Sequence, residues 1–445
     1  MKTKTILIIA LVGCFLWPAL AAGETLTLQA AIEKALKQNP GIAARLYEVE
    51  AAGHAKKAAK GALLPQFDFV AEASRRSDPV AVVPIKGPGE FPAFSRDIYA
   101  AQVEARLPLY QGGRLRRLVR LSEIEIALRQ SLKQQTALDL IANVKEAYLL
   151  GLYLEGVIKA REKTLEALKR EEAEAETRFK LGRLAQLDLL RIKAQVKAEE
   201  AALTTSRESL RRVKEALSVL MGEEPRSDFS LSGRLEPVSL PEKADFSEAL
   251  SCRPDVVAAK RAVAKARETV SLERSGHFPQ IDLYSYYGRR AGSGFHDSEE
   301  VWEAGLRFRL NLFSGGSISA RVAEARARAL AEEERLRQVV LAAQKEITEA
   351  LSRFSEAKAQ EASLAEAKAA AKEAFRVESL RYRTGAGTVT DMLLAQAAWL
   401  QAEAAYLEAL YRLAQARIAY ERATAEIARG YLNLSCEEIP HASQD

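Results

Sequence analysis

A helical segment of unusual length occurs twice in the chain. Gly182 follows Gly112 by 70 residues, and the sequence between them is rich in Ala, Glu, Arg and Leu and contains no proline. A helix of that length spans on the order of 100 Å, far more than a globular domain needs. Gly315 and Gly385 bound a second segment of the same length. The fold must therefore be organised around two very long helices.

The sequences next to these two segments also match each other. Leu-Pro-Leu-Tyr-Gln-Gly-Gly at 107–113 precedes the first segment, and Leu-Asn-Leu-Phe-Ser-Gly-Gly at 310–316 precedes the second. Beyond the far glycines, Asp-Leu-Leu at 188–190 corresponds to Asp-Met-Leu at 391–393. All these pairs lie 203 residues apart, and similarity at a fixed offset indicates an internal duplication.

Each long segment is preceded by two segments with the alternating pattern of half-buried strands. The four predicted strands are about 66–74, 99–109, 280–287 and 301–312. In the second of them, Val103 and Leu107 lie on an apolar face, whereas Glu104 and Arg106 lie on a polar face. The Pro- and Gly-rich segment 78–92 is predicted to be an exposed loop. Strands of this length and pattern are typical of β-barrels that cross a membrane.

The same landmarks predict the domain organisation. Residues 1–21 have the basic start, apolar run and Ala-Leu-Ala end of a secretory signal peptide. An alternative for this segment is a lipid-attachment sequence at Cys14. The other predicted parts are a first structural repeat (22–221), a connector in the middle belt of the molecule (222–244), a second structural repeat (245–429) and a C-terminal tail (430–445). The predicted long helices are about 114–180 and 317–383, and the predicted tips are 181–188 and 384–391.

Export would place the mature chain in an oxidising compartment, where two cysteines remain. Cys252 and Cys436 are an even pair and a candidate disulfide, and the alternative is two separate thiols.

Composition excludes several classes of function. The net charge is +5, and basic and acidic residues are interspersed, so no basic patch favours nucleic acid as a partner. The four histidines have no partner at the spacing of metal ligands. The sequence also has no phosphate-binding glycine loop and no Gly-x-Ser-x-Gly motif. We therefore predict a protein that is not an enzyme and holds no cofactor or metal.

The number of strands predicts an oligomer. Four strands cannot close into a barrel, and the open edges of a sheet are not stable in lipid. The smallest membrane barrels have about eight strands, so several chains must contribute. An oligomeric barrel that continues into long helices satisfies these constraints. A solvated coiled coil is the alternative, because helical periodicity alone does not exclude it.

Taken together at their fixed spacing, these motifs resemble the TolC-like family of outer-membrane efflux proteins. The resemblance covers nearly the whole mature chain and includes the Leu-Pro-Gln and Phe-Pro-Gln strand starts. It implies a mainly α-helical homotrimer, with a twelve-stranded β-barrel in the bacterial outer membrane and an α-helical barrel in the periplasm. It implies a passive exit duct of a tripartite efflux or type I secretion system. The implied partners are a periplasmic adaptor and an inner-membrane pump of RND, ABC or MFS type. The alternative function is a non-pore-forming periplasmic coiled-coil structural or adaptor protein.

The resemblance also assigns functional residues to the two tips. The tip residues that resemble those which meet the adaptor are Leu181, Gly182 and Arg183, together with Thr384, Gly385 and Ala386. A glycine at such a position is also expected simply to end a helix in a left-handed turn. Both roles are compatible, and we expect docking in addition to the turn.

Three further residues match positions of the family's periplasmic constriction. Asp188 and Asp391 are candidates for inward-facing carboxylates, which would make the constriction sensitive to cations. The alternative for these two residues is stabilisation of a helix N-terminus, with Thr388 and Asp391 spaced as a capping box. Tyr382 matches a tyrosine that helps to hold the closed state, and its expected partner is Asp188.

Three departures from the family's pattern affect that latch. Leu187 and Gly387 stand where relatives carry a Thr and an Arg of the same latch, and Leu394 stands where a second Asp of the gate occurs. The sequence therefore predicts that the closed state is held by a different set of contacts.

Overall fold

The computed structural model describes residues 25–85, 87–240, 246–295, 298–428 and 430–432. The predicted signal peptide and most of the predicted C-terminal tail lie outside the described residues. The helices are α1 (Leu28–Gln38), α2 (Pro40–Gly61), α3 (Arg114–Lys180), α4 (Gln186–Leu220), α5 (Phe246–Cys252), α6 (Pro254–Arg274), α7 (Ser317–Arg383) and α8 (Val389–Ala423). The strands are β1 (Thr25–Leu26), β2 (Gln66–Ala81), β3 (Phe94–Gln111), β4 (Ser230–Leu231), β5 (Gln280–Ala291) and β6 (Glu299–Arg309). No helix in the described ranges is both long and apolar enough to cross a membrane.

The longest elements are α3 and α7, which have 67 residues each. Each begins directly after a glycine with a left-handed backbone, Gly113 (φ 80°) and Gly316 (φ 78°). A residue with a Cβ would be strained there, so these glycines fix where the long helices start. At their far ends the chain turns and returns as α4 and α8, which have 35 residues each. The chain thus forms two antiparallel helical hairpins, α3/α4 and α7/α8.

The shorter helices pack against the hairpins at the ends that lie next to the large sheet. Asn39 and Arg253 each precede a proline at the first position of a helix, which breaks α1 from α2 and α5 from α6. The Asn39 side-chain amide donates to the last carbonyl of α4, that of Leu220, at 2.9 Å. The Arg253 guanidinium donates to the last carbonyl of α8, that of Ala423, at 3.0 Å. These side chains therefore join the broken helices to the ends of the hairpins.

A cluster of buried apolar residues anchors the small parallel sheet of β1 and β4. Tyr148 of α3 is almost fully buried, and its hydroxyl lies 2.8 Å from the Leu26 carbonyl and 2.7 Å from the Ser232 carbonyl. It also accepts the Ser232 amide N–H at 3.0 Å. The predicted connector 222–244 thus contributes β4 and is tied to the core.

The larger sheet is antiparallel in the order β2-β3-β5-β6, with free edges at β2 and β6. The strand β2 continues to Ala81, although the sequence predicted a loop from residue 78. A register shift between Arg75 and Val80 leaves Pro79 without a cross-strand partner, and a proline lacks the N–H that such a partner would need. At the other edge, β6 ends at Arg309 rather than near residue 312, because its partner β5 begins opposite Arg309 at Gln280.

The last long helix ends earlier than predicted. The sequence predicts a last helix from about Thr388 to Arg429, at the end of the second structural repeat, but α8 stops at Ala423. Ala425 has a left-handed backbone (φ 59°), which no α-helix tolerates, and a short 3₁₀ turn, Glu426–Ala428, follows.

Candidate functional site

The first tip is the turn between α3 and α4. Gly182 has a left-handed backbone (φ 69°), and the Arg183 amide N–H donates to the Arg178 carbonyl at 2.8 Å. This is the pattern of a helix that ends at a left-handed glycine. Leu181 is 64% exposed, and Gly182 and Arg183 are exposed beside it. The turn therefore presents all three predicted docking residues to solvent, and its backbone requires the glycine as well.

The second tip, between α7 and α8, has the same construction. Gly385 has a φ of 76°, and the Ala386 amide N–H donates to the Arg381 carbonyl at 2.8 Å. Thr384, Gly385 and Ala386 are all exposed. The structure thus places the six predicted docking residues on two turns of one shape.

The two tips differ in how the returning helix begins. Thr388 caps α8, because its hydroxyl oxygen accepts the Asp391 amide N–H at 3.1 Å and its hydroxyl donates to the Asp391 carboxylate at 2.7 Å. Ala185 precedes α4 and provides no side-chain cap. Asp391 therefore lies in the first turn of α8 and contacts the cap residue Thr388, in keeping with the alternative offered by the sequence, and its carboxylate remains exposed.

We expect Thr388→Ala to destabilise the first turn of α8 by about 1 kcal/mol, because the substitution removes the cap. Amide hydrogen exchange of residues 389–392 should then be roughly five-fold faster. The first turn of α4 provides an internal control, since it has no such cap and should exchange at the wild-type rate. Unchanged exchange in α8 would show that the cap contributes nothing.

Tyr382 lies between the two hairpins just behind the tips. Its side chain is 8% exposed and packs in one cluster with apolar residues of both hairpins, including Leu189 and Met392. The Arg178 guanidinium lies 5.4 Å from the centre of the tyrosine ring. Burial raises the pKa of the Tyr382 hydroxyl above its ordinary value, although Arg178 opposes this shift. Tyr382 therefore holds the hairpins together mainly by its buried ring.

The polar contact between the hairpins comes from Arg191, a residue that was not among those predicted from the sequence. Arg191 of α4 donates to the Thr390 hydroxyl of α8 at 2.8 Å and lies 3.5 Å from the Asp188 carboxylate. No hydrogen bond joins Tyr382 to Asp188 among the described residues. Asp188 thus reaches the second hairpin through Arg191. The spacing of Asp188 and Arg191 was the available signal, since residues three apart meet on a helix.

Two of the residues that depart from the family's latch lie on the surface of this region. Leu187 is 58% exposed and Leu394 is 65% exposed. Neither contributes a polar group to the tips, so Arg191 and Thr390 supply the polar contact in their place.

The predicted disulfide involves one described cysteine. Cys252, the last residue of α5, is disulfide-bonded. Cys436 lies outside the described residues, and its pairing with Cys252 stays a prediction.

The strand register gives the large sheet two chemically different faces. Residues that pair directly across strands lie on the same face. One face carries the rows Phe69–Val103–Tyr287–Trp302 and Leu107–Leu283–Leu306, and the other carries Asp68–Glu104–Tyr286–Glu303. Phe69, Trp302 and Leu306 are 72%, 71% and 67% exposed. A continuous apolar surface of this size is unsuited to water and marks a contact with lipid or another protein.

Comparison with known proteins identifies the family. The sequence matches the profile described as "Outer membrane efflux protein" over residues 31–223 and 246–426. The chain belongs to the outer membrane efflux proteins. Its place is accordingly the bacterial outer membrane, with a part that extends into the periplasm.

Individual relatives agree with this assignment. The outer membrane efflux protein BepC of Brucella suis is 24% identical over 96% of this chain and 91% of its own length. The pyoverdine export outer membrane protein OpmQ of Pseudomonas putida is 25% identical over 87% of this chain and 82% of its own length. The solved structure of the outer-membrane channel OprN superimposes with a TM-score of 0.74 at 26% identity and covers 89% of each chain.

Membership of this family decides between the two functions that the sequence left open. Its members are channels or transporters rather than enzymes. An outer membrane efflux channel is therefore favoured over a non-pore-forming periplasmic coiled-coil protein.

Proposed function

We propose that three copies of this chain form the outer-membrane exit duct of a tripartite efflux or type I secretion system. The observation that carries the proposal is the large sheet, which has one exposed apolar face, one polar face and two free edges. A closed barrel is the arrangement in which such a sheet is stable in lipid, because closure pairs every edge. The apolar face then contacts lipid and the polar face lines the channel.

The free edges of the sheet support one way for the copies to meet. β6 of one copy is the edge available to pair with β2 of the next. Three sheets of four strands give the twelve strands that the family resemblance implies. The hairpins α3/α4 and α7/α8 would then continue the barrel as a helical tunnel.

Two features at the ends of the hairpins support an origin of the chain by internal duplication. Leu220 and Ala423, whose carbonyls accept from Asn39 and Arg253, lie at the offset of 203 residues found in the sequence motifs. Gly222 and Ala425, both with left-handed backbones, lie at the same offset. Equivalent junctions would therefore end both copies.

The partners are proposed from the tips and from the relatives. The two exposed glycine turns would contact the adaptor, which in turn contacts an inner-membrane pump of RND, ABC or MFS type. Exposed Leu181 and Leu187 give the first tip an apolar surface suited to a protein partner. OpmQ is a pyoverdine export protein by name, so a small exported metabolite is one candidate class of cargo.

Planar-bilayer recording on detergent-purified protein, with the oligomer mass determined in the same preparation, tests the proposal. We expect the mass of a trimer and discrete single-channel steps that depend on added divalent cations. A monomer that gives no conductance would contradict it.

From the contacts between the two tips we predict which substitutions open the channel. We expect Asp188→Ala to raise single-channel conductance, because it removes the ion-pair partner of Arg191 at the contact between hairpins. Tyr382→Phe should raise it less, since the buried ring is retained. Asp228→Ala is a suitable control, because Asp228 is 77% exposed in the connector far along the chain from both tips. Unchanged conductance in both tip variants would rule out a latch at these residues.

A further inference from the structure

The apolar face of the large sheet carries a groove near its loop end. The groove has a volume of about 410 Å³. Its lining residues include Ala71, Ala73, Tyr99, Ala101, Arg289 and Phe295, and Glu72 is the second charged residue of the lining. The alanines form its floor, the two aromatic rings form one wall, and Arg289 places a cation at its rim.

The strand register fixes the height of this groove. The row Ala71–Ala101–Arg289 lies immediately beyond the aromatic row Phe69–Val103–Tyr287–Trp302. Two residues along a strand correspond to about 7 Å. Aromatic rows on membrane barrels lie at the boundary between acyl chains and headgroups. In the proposed barrel, on which this orientation depends, the groove spans that boundary and Arg289 lies at headgroup level.

The aromatic wall is held in a defined position. Phe295 has a left-handed backbone (φ 61°), an unfavourable conformation for this residue type, and its ring centre lies 4.5 Å from that of Tyr99. The preceding loop is fixed to β3, because the Ser293 hydroxyl donates to Asp97 at 3.0 Å and the Ser293 amide donates to the Ser95 hydroxyl at 3.0 Å. The strained residue thus contributes one wall of the groove.

Arg289 is available for an external anion. Its cross-strand partner on the same face is Glu300. No ion pair of Arg289 occurs among the described residues. An arginine on the lipid-facing side is unfavourable in acyl chains and favourable where phosphates surround it. Its planar guanidinium matches the oxygens of a phosphate group.

We propose that this groove binds a phosphorylated, multiply acylated glycolipid of the outer leaflet, the class to which lipid A belongs. Arg289 would bind a phosphate of the headgroup. One acyl chain would lie over Ala71 and Ala101, against the Tyr99 and Phe295 rings. The cation at the rim and the apolar floor complement an amphiphile with an anionic head, whereas a zwitterionic phospholipid would gain less from Arg289.

Native mass spectrometry of the detergent-purified full chain, titrated with lipid A, tests this proposal. We expect Arg289→Ala to weaken binding about tenfold, as for the loss of one charge-assisted contact. Ala101→Leu fills the groove without changing charge and should weaken binding to a similar extent. Arg309→Ala is the matched control, because Arg309 pairs with Gln280 on the opposite face of the sheet. Dephosphorylated lipid A should bind the wild type as weakly as lipid A binds the Arg289 variant.

Equal binding of lipid A by the wild type and by Arg289→Ala would overturn the proposal. So would an equal loss of binding in Arg309→Ala, since it would indicate unspecific attraction. Conductance is recorded on the same preparations. Channels that fail to bind lipid A selectively would overturn the lipid site alone. Selective binding without conductance would overturn the exit duct and leave the lipid site standing.

Discussion

Replacing Arg253 by alanine should destabilise the junction between α5, α6 and α8 by about 3 kcal/mol. The arginine is 7% exposed, and its guanidinium makes four polar contacts. It bonds both Asp255 carboxylate oxygens at 3.0 and 2.6 Å, Glu346 of α7 at 2.8 Å and the Ala423 carbonyl at 3.0 Å. Loss of one partner of a buried ion pair costs roughly 3–5 kcal/mol. The lower end of this energy range applies, because the side chains of Asp255 and Glu346 remain 31% and 58% exposed.

Amide hydrogen exchange on the purified protein measures this effect locally. Residues 254–258 and 420–424 should exchange roughly 100-fold faster in Arg253→Ala, which corresponds to about 3 kcal/mol. Arg353→Ala is the control: Arg353 is 69% exposed and pairs with Glu349 at 3.7 Å, so its loss should cost less than about 1 kcal/mol. Arg253→Lys should fall between the two, because lysine keeps the charge but not the planar fork. Wild-type exchange in Arg253→Ala would mean that the junction is held by apolar packing alone.

The starts of the long helices could be predicted from sequence because they depend on local chemistry. Gly113 and Gly316 adopt a backbone that side chains disfavour, so the residue type itself marks the position. The end of α8 depends on Ala425, which adopts the same left-handed region without being a glycine. No local signal exists there. Gly222 lies 203 residues earlier, the offset of the sequence motifs, and comparison of the two positions could have supplied a signal.

The strand ends and the contact between the tips required the structure. Pro79 suggested a loop, whereas a register shift accommodates it within β2. The Arg191–Thr390 hydrogen bond joins residues nearly 200 positions apart, so it depends on how the two hairpins lie side by side. By contrast, the predicted faces of the strands agree with the observed register through Arg309, because alternation alone determines which side chains share a face.

Those faces determine where the assembled protein can accept a charged side chain. Ala105→Arg should prevent assembly in the outer membrane, because Ala105 pairs with Phe67 and Ser285 in the middle of the apolar face. An arginine on the lipid side costs about 2–4 kcal/mol at the bilayer midplane and about 0–1 kcal/mol near the interfaces. Ala105 lies one row, about 7 Å, inside the aromatic row Phe69–Val103–Tyr287–Trp302, so the cost is about 2 kcal/mol per chain. In the proposed trimer this cost occurs three times in one cooperative assembly, so the trimer should be nearly absent from isolated outer membranes.

Gln102→Arg is the matched substitution on the other face. It adds the same charge to the same strand three residues away, but Gln102 lies on the polar side, where its amide donates to Glu104 at 2.7 Å. An arginine there remains in water and beside a carboxylate, so the trimer should assemble at the wild-type level and conduct. The measurement is the amount of trimer in outer-membrane fractions of cells that express each variant equally. If both variants assemble alike, the apolar face does not contact lipid, and the sheet must be covered by protein instead.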